Sequence, residues 1–599
     1  MWEAEQLNDF VAVSMALVLT SRIKKGIKVT LEQNSLLIKQ VMVKENLIRM
    51  YEESFRNNAE LPALTDYFKK TTLTYFDLAQ LIAKYHLVLE KYGIEAGDKL
   101  ALIGRNTPKW VTAYAATITY GAVIVPILQD FNPIDATNII NHSDSRILFL
   151  SQDVWDKLDR EKFEKLEAVV EYETMTTLWE RNEGTFKPLM DNVDALFAER
   201  YLNGFTTNDI RYPEVPNDRV FIISYTSGTT GLSKGVMLTV NNITANVAFA
   251  IEYKFHYRGS RVLGILPLAH AFGCAFDMLT PLATGSHITL LGKLPAAPIL
   301  LKALKDVKPD LLLTVPLLVE KIIKGKVMPT LEKQPVKTLV KIPLLNQIVF
   351  KKVRTQLMEA FGGALTELIM GGAALNSDVE KLLKKIKLPY TVGYGMTETA
   401  PLICYAHHTE YKSLSCGKLV DGMQMKIDSK DPYNIPGEIC VKGENVTVGY
   451  YKNPDATAAV FDEDGWFHTG DMGVVDAATN CFIRGRCKTM ILSNNGQNIY
   501  PEEIEAKLNN LEAVVESLIV EEEGKLVALV VPNYELAQKE GWSTTHLKEM
   551  MAENLKKLNT LVAPYERVSA IKLCATEFEK TPKKSIRRYL YPKAAKIVS

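Results

Sequence analysis

The chain has 599 residues, with 70 lysines and arginines balanced by 70 aspartates and glutamates. That length exceeds one hydrophobic core, so two or more domains are expected, and the zero net charge argues against a nucleic-acid binder. The 47% hydrophobic and 23% charged composition is that of a water-soluble globular chain. Seven cysteines without a CxxC pair point to reduced thiols and a cytoplasmic setting rather than a disulfide framework.

Residues 1–41 share no pattern with the rest of the chain. The apolar run Phe10 to Leu19 is too short to span a bilayer, and its upstream flank (Glu3, Glu5, Asp9) is acidic where a signal peptide is basic. Two readings stay open: an interfacial helix, since Arg22, Lys24, Lys25 and Lys28 come after the run, or an extension upstream of a natural start at Met42. From Leu73 the pattern alternates. Helices are expected over Leu78–Tyr92, Trp110–Gly121 and Pro133–His142, and buried strands over 97–103, Ala122–Ile127 and Arg146–Leu150. Alternation of this kind implies a parallel or mixed sheet covered on both faces. The polar, proline-bearing segment Gly204 to Asp218 reads as a connector.

The connector leads through the β-prone run Arg219–Ile223 into Ser224-Tyr-Thr-Ser-Gly-Thr-Thr-Gly-Leu-Ser-Lys-Gly235. Gly228, Gly231 and Gly235 permit unusual backbone geometry. Thr226, Ser227, Thr229 and Thr230 supply hydroxyls, and Lys234 supplies a cation. Backbone N–H groups, hydroxyls and one lysine suit a polyphosphate. The spacing is not that of a Walker A loop, because Ser233 stands where the second glycine belongs and Gly235 comes after the lysine. Further on, strands are expected at Arg261–Leu266 and Asp310–Val315. The first ends at Pro267-Leu-Ala-His-Ala-Phe-Gly273, where His270 could line a pocket. The lysine-rich stretch from Lys321 to Arg354 reads as a solvated helical face, with a membrane-facing patch as the sharper alternative. Leu368 to Leu375 reads as a strand entering a Gly-Gly turn.

Tyr394-Gly-Met-Thr-Glu-Thr399 places an aromatic ring, a hydroxyl (Thr397) and a carboxylate (Glu398) around glycines. A carboxylate oxygen is a ligand that Mg2+ takes alongside phosphates. The nine histidines lack metal-ligand spacing, and the adjacent His407 and His408 are expected to be solvated. Beyond Gly437 the chain reads as short strands. Asp471, in Gly465-Trp-Phe-His-Thr-Gly-Asp471, suits a ribose diol, and Arg486 could reach ribose or phosphate. From Pro501 onward a small α+β unit is expected: a helix, strands over Val514–Glu521 and Lys525–Val531, a helix over Thr544–Asn559, and a strand over Val568–Leu573.

These ordered motifs resemble those of the adenylate-forming (acyl-activating) enzymes over residues 45–599, and within them the long-chain fatty acid–CoA ligases. The resemblance implies an α/β fold. A large AMP-binding domain of mixed sheets with a β-rich subdomain (42–486) would precede a small mobile α+β lid (487–599), hinged at Lys488. It also implies ATP and CoA as co-substrates, Mg2+ on Glu398 and Thr226, and a fatty acid as substrate, without nucleic acid. A nucleotide would be held by Thr226, Ser227, Gly228, Thr229, Thr230, Gly231, Lys234, Gly372, Ala373, Tyr394 (stacking on adenine), Gly395, Thr397, Asp471 and Arg486, with His270 beside the acyl pocket. One departure stands out. The family's tail lysine lies three residues after a Thr-Pro proline, and that position here is Ser585; a one-residue shift makes Lys584 the catalytic candidate. Two rivals remain: transfer of the acyl group to an acyl carrier protein, and a catalytically impaired nucleotide- or acyl-binding homologue.

Overall fold

The computed structural model describes residues 30–32, 35–37, 43–226, 233–292, 296–492, 498–522, 524–581 and 586–591. A seven-stranded mixed sheet forms the first layer. Its centre is parallel: Val123–Ile127, Lys99–Ile103, Ser145–Leu150 and Ala168–Glu171. These are nearly continuous apolar runs, as strands buried on both faces require. Thr176–Glu180 adds one antiparallel edge, and the antiparallel pair Val220–Thr226 and Lys234–Thr239 forms the other. Local signals set the helix ends. In Pro108–Tyr120 the Thr107 side chain accepts the Trp110 N–H, Pro108 opens the first turn, and Gly121 closes the helix in left-handed geometry. That helix buries Trp110 and Tyr114 against the sheet.

A second sheet orders Arg261–Gly264, His287–Leu290, Pro62–Asp66 and Thr71–Thr74. The last two strands are short, hold four threonines between them, and carry no sequence alternation that marks them. A third, parallel sheet joins Leu311–Thr314, Glu367–Met370 and Tyr390–Val392. The expected β-rich subdomain is a six-stranded antiparallel sheet containing Met423–Asp428, Gly437–Gly443, Phe467–Val475 and Cys481–Arg486. Its far edge holds the hairpin Thr30–Glu32 and Ser35–Leu37, which pairs with Met423–Asp428 through Ser35 and Leu36. Residues 30–32 and 35–37 are thus tied to the sheet, although no sequence pattern links 1–41 to the rest of the chain. The Phe10–Leu19 run lies outside the described residues.

The C-terminal unit contains Val514–Glu522, Lys525–Pro532 and Val568–Leu573, with helices Pro501–Leu508 and Thr544–Leu561 packed on them. It meets the rest of the chain at Cys481–Arg486, where Thr489 donates to Glu502 (2.7 Å) and Arg484 faces Glu503 (3.5 Å). The lysine-rich stretch is helical, with Leu345–Ala360 its longest helix. Among the described residues, no helix is long and apolar enough to cross a membrane.

Candidate functional site

The expected phosphate loop is the connection of a hairpin. Thr226 and Lys234 are cross-strand partners at its loop end, both half-buried, so their side chains leave the hairpin on one face. Ser227, Gly228, Thr229, Thr230 and Gly231 lie outside the described residues. The hairpin closes tightly: a Cβ on Gly235 would lie 2.9 Å from Ile223 and 3.0 Å from the Tyr225 ring. Helix Val240–Glu252 comes next, capped by Thr239.

The strand after the loop is pinned by a segment that no sequence motif marks. Tyr451 donates its N–H to Gly235 O (2.8 Å), Met237 donates to Gly449 O (3.0 Å), and Thr447 Oγ1 donates to Met237 O (2.6 Å). This strap puts Tyr450 between two predicted site residues. Lys234 Nζ sits 4.7 Å from the Tyr450 ring centroid, and the Tyr450 hydroxyl donates to Glu398 Oε1 at 3.0 Å. A cation over a ring face is attracted to its quadrupole. Burial, then the Glu398 charge, holds the Tyr450 phenol protonated well above its ordinary range.

Glu398 is buried in the single 3-10 turn Thr397–Thr399. Asn246 braces that turn from the hairpin's helix: its Nδ2 donates to Thr399 O (3.2 Å) and its Oδ1 accepts the Leu402 N–H (3.1 Å). The preceding Gly395 is dictated by contact, since a Cβ there would lie 1.9 Å from Pro401 O. Tyr394 itself is buried, and its hydroxyl donates to Asp471 Oδ2 at 2.7 Å. Arg486, reaching back from the surface, pairs its Nε with Asp471 Oδ1 at 2.9 Å. Asp471 lies inside strand Phe467–Val475, directly across from Arg486. Burial pushes its carboxyl pKa up, while Arg486 and the Tyr394 hydroxyl pull it down and Glu398 adds repulsion. Glu398 and Asp471 therefore feel one another across one site.

Gly372 and Ala373 form an exposed bend after strand Glu367–Met370, with Gly372 in left-handed geometry at φ 82°. The turn carrying His270 packs on this bend, because Phe272 lies where a Gly371 Cβ would point, at 3.3 Å. His270 Nδ1 accepts the Phe272 N–H (3.3 Å), so the ring caps the short helix Ala271–Gly273. Behind it a π-helical turn, Cys274–Leu279, buries Asp277. Burial pushes its carboxyl pKa up; no sequence pattern marks it.

Lys488 is exposed in a turn after Cys481–Arg486. Lys584 lies outside the described residues. His408 differs from expectation. It is half-buried, and both its N–H (2.6 Å) and its Nδ1 (3.2 Å) contact buried Glu367, while His407 is exposed.

A threonine–lysine pair at the hairpin's loop end, a buried glutamate joined to it through Tyr450, and a buried aspartate held by a tyrosine and an arginine present polar groups of the kind a nucleotide takes. Comparison with known proteins agrees. The profile of the AMP-binding enzyme family matches residues 51–451, and the chain belongs to that family. Long-chain-fatty-acid–CoA ligase ACSBG2 of Rattus norvegicus is 28% identical over 528 residues, covering 80% of this chain and 76% of the relative. The 4-coumarate–CoA ligase of Vanilla planifolia is 27% identical over 486 residues, 78% and 80%. The structure of the anthranilate CoA ligase AuaEII in complex with anthranoyl-AMP superposes with a TM-score of 0.72 at 18% identity, covering 92% and 97%. These matched proteins are acid–CoA ligases.

Proposed function

We propose that the protein activates a fatty acid with ATP and passes the acyl group to CoA. The observation that carries this reading is the continuity of the Lys234–Tyr450–Glu398 set with the Tyr394–Asp471–Arg486 set. The first suits phosphates and the second suits a nucleoside. In the first step a carboxylate oxygen attacks the α-phosphorus, the bond to the bridging oxygen breaks, and pyrophosphate leaves with its electron pair. In the second step the CoA sulfur attacks the acyl carbon, AMP departs, and the thiol proton is lost. Neither step needs a protein nucleophile; both need charge neutralised on phosphate oxygens.

Thr226 and Lys234 would hold the outer phosphates. Asp471 would accept from the ribose hydroxyls, with Tyr394 and Arg486 fixing its two oxygens and the Tyr394 ring lying against adenine. Glu398 and the Thr226 hydroxyl fit Mg2+: both are oxygen donors, and among the described residues no lysine or arginine pairs with Glu398. Mg2+ there would neutralise phosphate charge. Lys584 would bridge carboxylate and α-phosphate, and rotation of 487–599 about Lys488 would exchange that lysine for CoA.

The fatty-acid assignment is supported by the ACSBG2 similarity and by an exposed surface. Ile342, Leu344, Leu345 and Ile348 project at and beside the start of the long helix, next to exposed Lys341, Lys351 and Lys352. Apolar side chains ringed by lysines suit a peripheral contact with an anionic lipid surface, where such substrates reside.

The test is a pyrophosphate-release screen from acetate to stearate, with 4-coumarate included, each with and without CoA. Long-chain acids should release pyrophosphate and yield a thioester only with CoA. Preference for 4-coumarate would overturn the fatty-acid reading. Acyl-AMP that persists in the presence of CoA would favour a carrier-protein acceptor.

A further inference from the structure

The strand that presents Asp471 to the nucleotide site carries a different set of groups on its opposite face. Cys440 and His468 are cross-strand partners, and Glu438 lies two residues before Cys440 on the same face. Cys440 Sγ is 3.5 Å from His468 Nδ1, and His468 Nδ1 is 2.8 Å from Glu438 Oε2. The three ligand atoms all lie within 4.8 Å of one another. Bond lengths to Zn2+ place sulfur and nitrogen ligands of a tetrahedron about 3.6 Å apart, so the thiol and the imidazole already stand at the required separation.

The other ring nitrogen of His468 faces Asp462 Oδ2 at 3.7 Å, beyond hydrogen-bond distance, and that carboxylate pairs with Lys426 at 3.1 Å. The Glu438 carboxylate beside the imidazole carries negative charge that a bound cation would offset. His468 and Glu438 are 30% and 25% exposed, which leaves an entry path to the buried Cys440.

We propose that Glu438, Cys440 and His468 form a three-ligand binding site for a thiophilic divalent cation of the zinc type.

Cobalt titration of the purified, chelator-treated protein tests the site without any assay of activity. One Co2+ should bind per chain, with a near-ultraviolet thiolate-to-cobalt band and the visible bands of a tetrahedral ion. His468→Gln, which leaves the core intact, and Cys440→Ser should both abolish the tetrahedral spectrum. Absence of a thiolate band in the wild type, or an unchanged spectrum in His468→Gln, overturns the site.

Discussion

Tyr394→Phe removes one oxygen and keeps the ring. The lost hydroxyl donates to Asp471 Oδ2 at 2.7 Å inside a buried network whose other oxygen is held by Arg486 at 2.9 Å. A hydrogen bond to a charged group contributes about 1.5–3 kcal/mol. If Asp471 holds the ribose, losing its orientation should raise the KM for ATP about 10- to 150-fold. Adenine stacking and the phosphate contacts survive, so kcat at saturating ATP should change far less. The assay is pyrophosphate release against ATP concentration at saturating acid. Asp471→Asn should give a comparable rise, and the double variant should add little, because both changes disable one unit. An unchanged KM in Tyr394→Phe, or full additivity in the double variant, refutes this account of the nucleoside site.

Three other outcomes are expected. Lys584→Ala should abolish pyrophosphate release while leaving transfer from preformed acyl-AMP to CoA intact, whereas Ser585→Ala should change neither; the reverse pattern moves the role to Ser585. Asp144 is pushed up by burial, but hydrogen bonds from Lys165, Lys452 and Tyr451 outweigh this and hold its pKa at about 2. Being depressed on folding, it stabilises the native state above roughly pH 4 and loses that effect as pH falls through about 2, so Asp144→Asn should cost about 1 kcal/mol at neutral pH after solvent screening and remove that acid-sensitive component in urea titrations. Reversing the charge of Lys341, Lys351 and Lys352 should weaken binding to anionic vesicles at low salt by roughly 1 kcal/mol per lysine; unchanged binding removes the case for a lipid contact at this face.

Much of the fold is legible locally. Val123–Ile127, Pro133–His142 and Val568–Leu573 fall within a residue of their expected bounds, because apolar runs, caps and terminal glycines act over a few positions. Pro62–Asp66 and Thr71–Thr74 were not legible, since strands this short show no alternation of their own and are specified by their neighbours in the sheet. The candidate site divides in the same way. Thr226, Lys234, Tyr394, Glu398 and Asp471 stand in motifs, while Tyr450, Asn246 and Asp277 do not. Their importance comes from distant partners: Glu398 lies 52 residues from Tyr450, and Leu402 lies 156 from Asn246.

The amino-acid order alone determined the chemistry on offer: a glycine- and hydroxyl-rich loop, a Thr-Glu pair, and an aspartate and an arginine spaced to reach a nucleotide. Those are properties of short segments, in which backbone freedom and functional groups are fixed residue by residue. Only the tertiary structure decided that Asp471 accepts the Tyr394 hydroxyl, that a tyrosine stands between lysine and glutamate, and that Cys440, His468 and Glu438 meet on the reverse side of the same sheet. Strand register places these groups, and register is settled by packing across the whole fold.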